Sequence, residues 1–171
     1  VHNLLTISAI IEILALILWV GGLTSLTLVA APAIFRTVPT REMAGRTFGV
    51  ILRRFDRLGW GCGVAILLAG ALRYAGRATQ QLYFAEYTRY LLGALMFGLS
   101  LYTGIIIARR LDKLRAAMSE GPNGAAGIDR VASDDPRRVE FNRLHGQSTA
   151  LTAFMLLLGV VMAILFGLEV Y

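Results

Sequence analysis

The chain has 171 residues, of which 56% are hydrophobic and 16% charged, and its mean hydropathy is +0.63. A soluble domain of this length needs far more charge to cover its surface, so the composition points to an all-α integral membrane protein without a separate soluble domain. The formal net charge of +6 does not argue for nucleic acid, because the arginines crowd into two stretches between apolar runs, the pattern of the positive-inside rule.

The first apolar run, Leu4–Ala31, reads as span one and is expected to end at Pro32. It would be ~42 Å long against a hydrocarbon core of ~30 Å, so it must tilt or protrude. No basic segment precedes it and it is too long for the apolar part of a cleaved leader, which argues for a retained span. Its single acid, Glu12, falls ~12 Å inside the outer end, where an ionised carboxylate needs an interior position and a partner. Gly21 and Gly22 follow Trp19, and hydroxyl residues Thr24, Ser25 and Thr27 come next, a composition that lets a neighbouring helix approach closely.

Residues 32–57 carry Arg36, Arg41, Arg46, Arg53, Arg54 and Arg57 against Glu42 and Asp56. Thr40 is a fitting N-cap, and Ala44, Phe48, Ile51, Leu52, Phe55 and Leu58 recur at helical spacing beside a basic stripe of Arg46, Arg53 and Arg57. The spacing predicts a short amphipathic helix lying in the interface before the chain turns into span two, 58–75. Gly59, Gly61, Gly63 and Gly70 offer close packing in that span, and Arg73 lies near its far end. The only cysteine, Cys62, excludes an intrachain disulfide and reads as a packing residue.

A polar link leads into span three, 82–108, with Glu86 and Arg89 close to its start and Tyr74, Tyr83, Tyr87 and Tyr90 as an interfacial belt. The second long loop, 109–143, begins with Arg109 and Arg110 and is expected to continue the helix with Leu111, Leu114 and Met118 on one face, until Gly121-Pro122-Asn123-Gly124 breaks it. Asp135-Pro136 reads as N-cap and first helical residue of a helix feeding span four, 144–170. The two long loops hold fourteen of the seventeen Lys and Arg. The expectation is a four-helix bundle in a bacterial inner membrane, N-out and C-out, with amphipathic cytoplasmic helices in both loops. Arg46, Arg53, Arg54, Arg57, Arg109 and Arg110 would form a basic cytoplasmic face for anionic lipid.

Particular stretches carry a family likeness. Trp19-Val20-Gly21-Gly22, Ala31-Pro32-Ala33-Ile34-Phe35-Arg36, Arg53-Arg54-Phe55-Asp56-Arg57-Leu58 and Asn142-Arg143-Leu144-His145-Gly146-Gln147-Ser148-Thr149-Ala150-Leu151 resemble the domain-of-unknown-function 4149 family, related to animal transmembrane protein 205. The likeness extends over nearly the whole chain and implies a four-helix membrane protein with no established reaction. It also implies a fold similar to copper-resistance-D-like membrane proteins and a kinship with animal proteins associated with platinum-drug resistance. Neither link transfers a catalytic residue, and the chain has no His- or Met-rich tract for handling copper.

Two sites compete with structural explanations. Arg73 and Arg89 come from the same outer half as Glu12, so the trio is either a proton, ion or substrate site or a buried ion pair that fixes helix packing; the packing account is preferred. His145 could serve as a single axial ligand to a pigment, with an interfacial hydrogen-bonding histidine as the preferred account. No Ser–His–Asp set, zinc-ligand spacing or phosphate loop occurs in a suitable context, so no enzyme, metal site or required cofactor is expected; lipid and, less so, pigment are the expected bound groups. The functional expectation is an accessory subunit of a respiratory or photosynthetic membrane complex, contacting other integral membrane subunits and anionic lipids. The alternative is a small homo-oligomeric transporter or export factor.

Overall fold

The computed structural model describes residues 2–76, 84–119 and 131–168. These form four long helices, and no strand occurs among the described residues. Helix α1 covers residues 2–37, α2 Arg41–Gly76, α3 residues 84–119 and α4 Pro136–Leu168. All four are long and apolar enough to cross a membrane. Near Glu12 at the start of α1 lie Arg73 from the end of α2, Arg89 from the start of α3 and Phe166 from the end of α4. The helices therefore run up, down, up and down, with the basic segments gathered at one end. Consecutive helices pack on each other, and α4 returns to α1 chiefly around Ile17–Gly21. There Ala15, Leu16, Trp19, Cys62, Ile66, Met96, Leu158 and Met162 form the core.

Helix α1 continues through Pro32 to Thr37, beyond the expected end at Ala31. Proline has no N–H to donate and its ring crowds the preceding turn. The backbone accommodates this by widening to a π-helical stretch at Leu26–Ala30, immediately before the proline. The pre-proline restriction takes effect one proline later: Val38, before Pro39, is extended at φ −83 and ψ 133, and there the helix stops. Two further π-helical stretches occur, at Ile17–Gly21 in α1 and Tyr102–Ile107 in α3.

The expected interfacial helix before span two is also corrected. Thr40 caps as anticipated, its Oγ1 accepting from the Met43 N–H at 3.2 Å, but the helix it starts runs unbroken for 36 residues from Arg41 to Gly76. Nothing between Phe48 and Leu58 stops it, since a lone glycine costs a helix only about 1 kcal/mol and no proline intervenes. The basic stripe thus lies on an extension of the spanning helix and not on a separate in-plane one. Likewise 108–119 prolongs α3. At α4, Asp135 accepts from the Arg137 N–H at 2.8 Å and Pro136 takes the first helical position. The Gly121–Gly124 break and the ends of the expected third and fourth spans (82–83 and 169–170) lie outside the described residues.

Candidate functional site

The half of the bundle away from the basic end is built around Glu12. The carboxylate is fully buried. Arg73 Nη1 donates to Oε2 at 3.2 Å, and Arg89 Nε lies 2.7 Å from Oε1, off the line of a well-directed hydrogen bond. Arg89 Nη2 reaches Oε2 at 3.5 Å. Arg89 is itself 0% exposed and its guanidinium lies over the Phe166 ring at 4.6 Å and the Tyr90 ring at 5.5 Å. Glu86, also buried, stands one turn before Arg89 on α3. Two acids and two arginines thus balance in a low-dielectric layer, and Glu12 joins α1 to α2 and α3. Coulomb attraction there is strong, but each charge has lost its water, so the pairing is obligatory more than it is a source of net stability.

Close packing follows the glycines in part. A Cβ on Gly59 would lie 2.9 Å from Trp19 Nε1, and Gly22 and Gly63 lie too close to Phe55 and Phe97 for any side chain. Gly21 differs from expectation: nothing lies within 4 Å of where its Cβ would be, so it faces outward and does not serve this bundle. Its neighbour Gly22 takes the interface because the two point about 100° apart on the helix. Gly61, Gly98, Gly146 and Gly167 also face outward, whereas Gly70 against Tyr90 and Gly159 against Val20 are contacts inside it.

Toward the basic end the helices part and enclose a cavity of about 490 Å³. Its deep wall is apolar, made by Trp19, Leu23, Phe55 and Met155, and its mouth is polar, made by Arg53, Asp112, Arg115 and His145. Arg53 Nη1 donates to both Asp112 oxygens at 3.2 Å, and Arg115 stands 3.8 Å from the same carboxylate. Arg115 also packs over the Phe141 ring at 5.3 Å, in the space left by Gly45 and Gly49. Asp56 lines this cavity and a second one, of about 350 Å³, together with Arg53, Arg54, Arg57, Trp60 and Gly104. The buried Trp60 Nε1 has no hydrogen-bond partner among the described residues.

Of the residues singled out from sequence, Glu12, Arg73 and Arg89 come together. His145 is exposed at the cavity mouth, stacked on Phe141 with ring centroids 6.1 Å apart. Arg46, Arg54, Arg57, Arg109 and Arg110 are exposed at the basic end, while Arg53 is drawn into the ion pair with Asp112. The cavity itself was not legible in sequence. Its traces there are the Asp112–Arg115 spacing of one helical turn and the Gly45/Gly49 pair, both of which read as ordinary surface helix. No group of three or more His, Cys, Asp or Glu positioned for a metal ion occurs among the described residues.

A family model described as "Domain of unknown function (DUF4149)" matches residues 14–120, more than half of the chain. The match takes in the Trp19–Gly22, Ala31–Arg36 and Arg53–Leu58 stretches; Asn142–Leu151 lies beyond it. No curated protein and no solved structure matches significantly.

Proposed function

The chain belongs to the DUF4149 family, and we propose that within it this protein is a non-catalytic accessory subunit of a larger membrane complex, oriented with its basic end in the cytoplasm and both termini outside. The observation that carries this reading is the saturation of Glu12. The one acid buried in α1 is held by Arg73 and Arg89, and neither cavity is lined by any of the three. That geometry suits a clamp that fixes helix packing, and it leaves the outside of the bundle as the working surface. Only 22% to 39% of each apolar window is buried within the bundle, so most of it is available to lipid or to partner helices. Glycines that face outward, such as Gly21, Gly61 and Gly98, support docking of further helices, because small residues let backbones approach closely. The excess of arginine at one end supports the orientation.

The test is extraction of the tagged protein from its native membranes in mild detergent. Co-purification at fixed stoichiometry with a larger complex is the expected result; a stable homo-oligomer alone would overturn the reading. A second reading, a small transporter or export factor, is favoured by one observation: the 490 Å³ cavity opens at the basic end and is closed above by the Trp19–Met162 core. Normal assembly of a Glu12→Gln variant with loss of flux would favour that alternative.

A further inference from the structure

The larger cavity has features of a binding site that the accessory role does not require. Its lining changes along its length, from Trp19, Leu23 and Met155 at the deep end to charged side chains at the mouth. Each of the three π-helical stretches contributes a lining residue: Trp19, Thr27 and Thr103. An extra residue in a helical turn re-aims the side chains that follow, and such turns are frequent at functional sites. The cavity also faces the bilayer. Helices α1 and α4 meet at Val20 and Gly159, and from there toward the basic end no substantial contact joins them. The gap is bordered by the exposed residues Leu28 and Phe35 on one side and Thr149 and Ala153 on the other. A molecule resident in that leaflet can enter sideways without crossing water.

The polar end shows which head group fits. Arg53 stands one turn before Asp56 on α2 and is paired with Asp112, which lies 3.8 Å from Arg115. The wall therefore presents a row of alternating charges, Asp56, Arg53, Asp112 and Arg115, with no net charge. An ion of either sign gains little from such a row, whereas a head with both a cation and an anion can align with it. The hydroxyls add acceptors. Thr27, Thr103, Thr149 and Thr152 each donate their proton to a carbonyl of their own helix, at 2.9 to 3.0 Å. What they turn toward a ligand is oxygen lone pairs, which suit an ammonium or hydroxyl donor.

We infer that this cavity binds a zwitterionic phospholipid of the basic-side leaflet, its phosphate and ammonium along the charged row and part of an acyl chain against Trp19. At about 490 Å³ the space falls within the range of ordinary small-molecule sites and holds a head and a length of one chain, not a whole two-chain lipid. The inference stands apart from the accessory-subunit reading, since it concerns the isolated bundle.

The chain has two tryptophans, so a Trp60→Phe background leaves Trp19 as sole reporter. Trp19 is 2% exposed, which keeps lipids on the outer surface away from it. The purified protein is reconstituted in bilayers containing phosphatidylethanolamine brominated on its acyl chains, and Trp19 quenching is measured. The same is done with brominated phosphatidylglycerol, and with Ala153→Phe and Thr149→Phe variants, two exposed positions where a ring obstructs the gap, using Leu157→Phe on the outward face as control. Strong quenching by the ethanolamine lipid is expected, kept in the control and lost in both obstructed variants. The glycerol lipid offers hydroxyls to the threonines but no ammonium to set against the Asp56 and Asp112 carboxylates, so its binding should be roughly tenfold weaker, the order of one lost charge-assisted hydrogen bond. Absence of quenching, or quenching unchanged in both obstructed variants, would overturn the site. Equal quenching by both lipids would overturn the head-group assignment, and a pigment retained through purification would overturn the lipid.

Discussion

Replacing Glu12 by glutamine is the perturbation that bears most directly on the charge cluster. The substitution keeps the shape and removes the charge that two guanidiniums share, one at 3.2 Å and one at 2.7 Å. At an effective dielectric near 20, each contact has a gross attraction of about 5 to 6 kcal/mol. Desolvation of the three ions offsets most of that in the native protein, so the intact cluster adds little net stability. After substitution the attraction is gone and the desolvation of both arginines remains. The expected loss is about 3 to 5 kcal/mol, the usual cost of breaking a buried pair from one side, and equals roughly a hundred- to several-thousand-fold in the unfolding equilibrium. Reversible unfolding in mixed micelles, followed by tryptophan fluorescence, measures it. Arg89→Met should cost more than Arg73→Met, because Arg89 is fully enclosed whereas the Arg73 side chain keeps 11% exposure. A Glu12→Gln protein within about 0.5 kcal/mol of the parent would refute the reasoning, as that is the scale of an unremarkable surface change.

Gly59→Ala should destabilise by about 1 to 3 kcal/mol in the same assay, since its Cβ would sit 2.9 Å from Trp19 Nε1, while Gly21→Ala, with open space around it, should be neutral or stabilise by up to about 1 kcal/mol in the isolated protein. Under the proposed accessory role, Gly21→Ala should instead weaken co-purification with the larger complex; unchanged co-purification would show that this face carries no partner helix. At the start of α4, the hydrogen bonds from Arg137 hold the Asp135 carboxyl below its ordinary range. A depressed folded-state pKa stabilises the helix start above the ordinary carboxylate value, and that contribution is lost as pH falls below it. Protection of the 137–139 amides, taken relative to the intrinsic exchange rate at the same pH, should therefore fall on acidification in the parent and be low at all pH in Asp135→Ala. For orientation, single cysteines at Arg54 or Arg110 in a Cys62→Ser background should react with an impermeant maleimide only after the membrane is opened; labelling in intact cells would reverse the assigned topology.

Sequence reading reached the parts of the fold that depend on composition and local chemistry. Four apolar runs gave four helices, and Thr40 and Asp135 gave two of the starts, because capping is decided by neighbours in the chain. Pro32 was misleading for a physical reason: a proline ends a helix only if the backbone cannot absorb the missing donor, and the π-helical turn at Leu26–Ala30 absorbs it. The meeting of Glu12 with Arg73 and Arg89 could be anticipated because a charge at that depth must find its opposite and few were at that depth. The Asp56–Arg53–Asp112–Arg115 row could not, since its central pair, Arg53 and Asp112, is 59 residues apart and each half looks like soluble helix surface by itself. Two adjacent glycines, Gly21 and Gly22, read alike in sequence and differ wholly in the fold, because only the rotation of α1 decides which one meets Phe55.

The two halves of the bundle solve the same problem in opposite ways. At the Glu12 end the charges are inside, and the helices close around them until Glu12 and Arg89 have no exposure. At the basic end the helices stand apart and the charges line the wall of the cavity. Between them Trp19, Ile66, Met96 and Met162 form an apolar layer, and Gly59 allows α2 close enough for Trp19 to seal it. A movement that opened the Glu12 end would have to separate Glu12 from both arginines in a medium that cannot solvate them, at a cost of the order that Glu12→Gln incurs. Spreading at the basic end breaks the half-exposed Arg53–Asp112 pair, worth about 1 kcal/mol or less, and the Arg115–Phe141, Phe35–Phe48 and Arg137–Ala117 contacts, none of which leaves a fully enclosed charge unpaired. Separation of the helices is therefore expected to cost less at the end that carries the cavity, where the charged contacts are partly solvated, than at the Glu12 clamp, which holds the helix register.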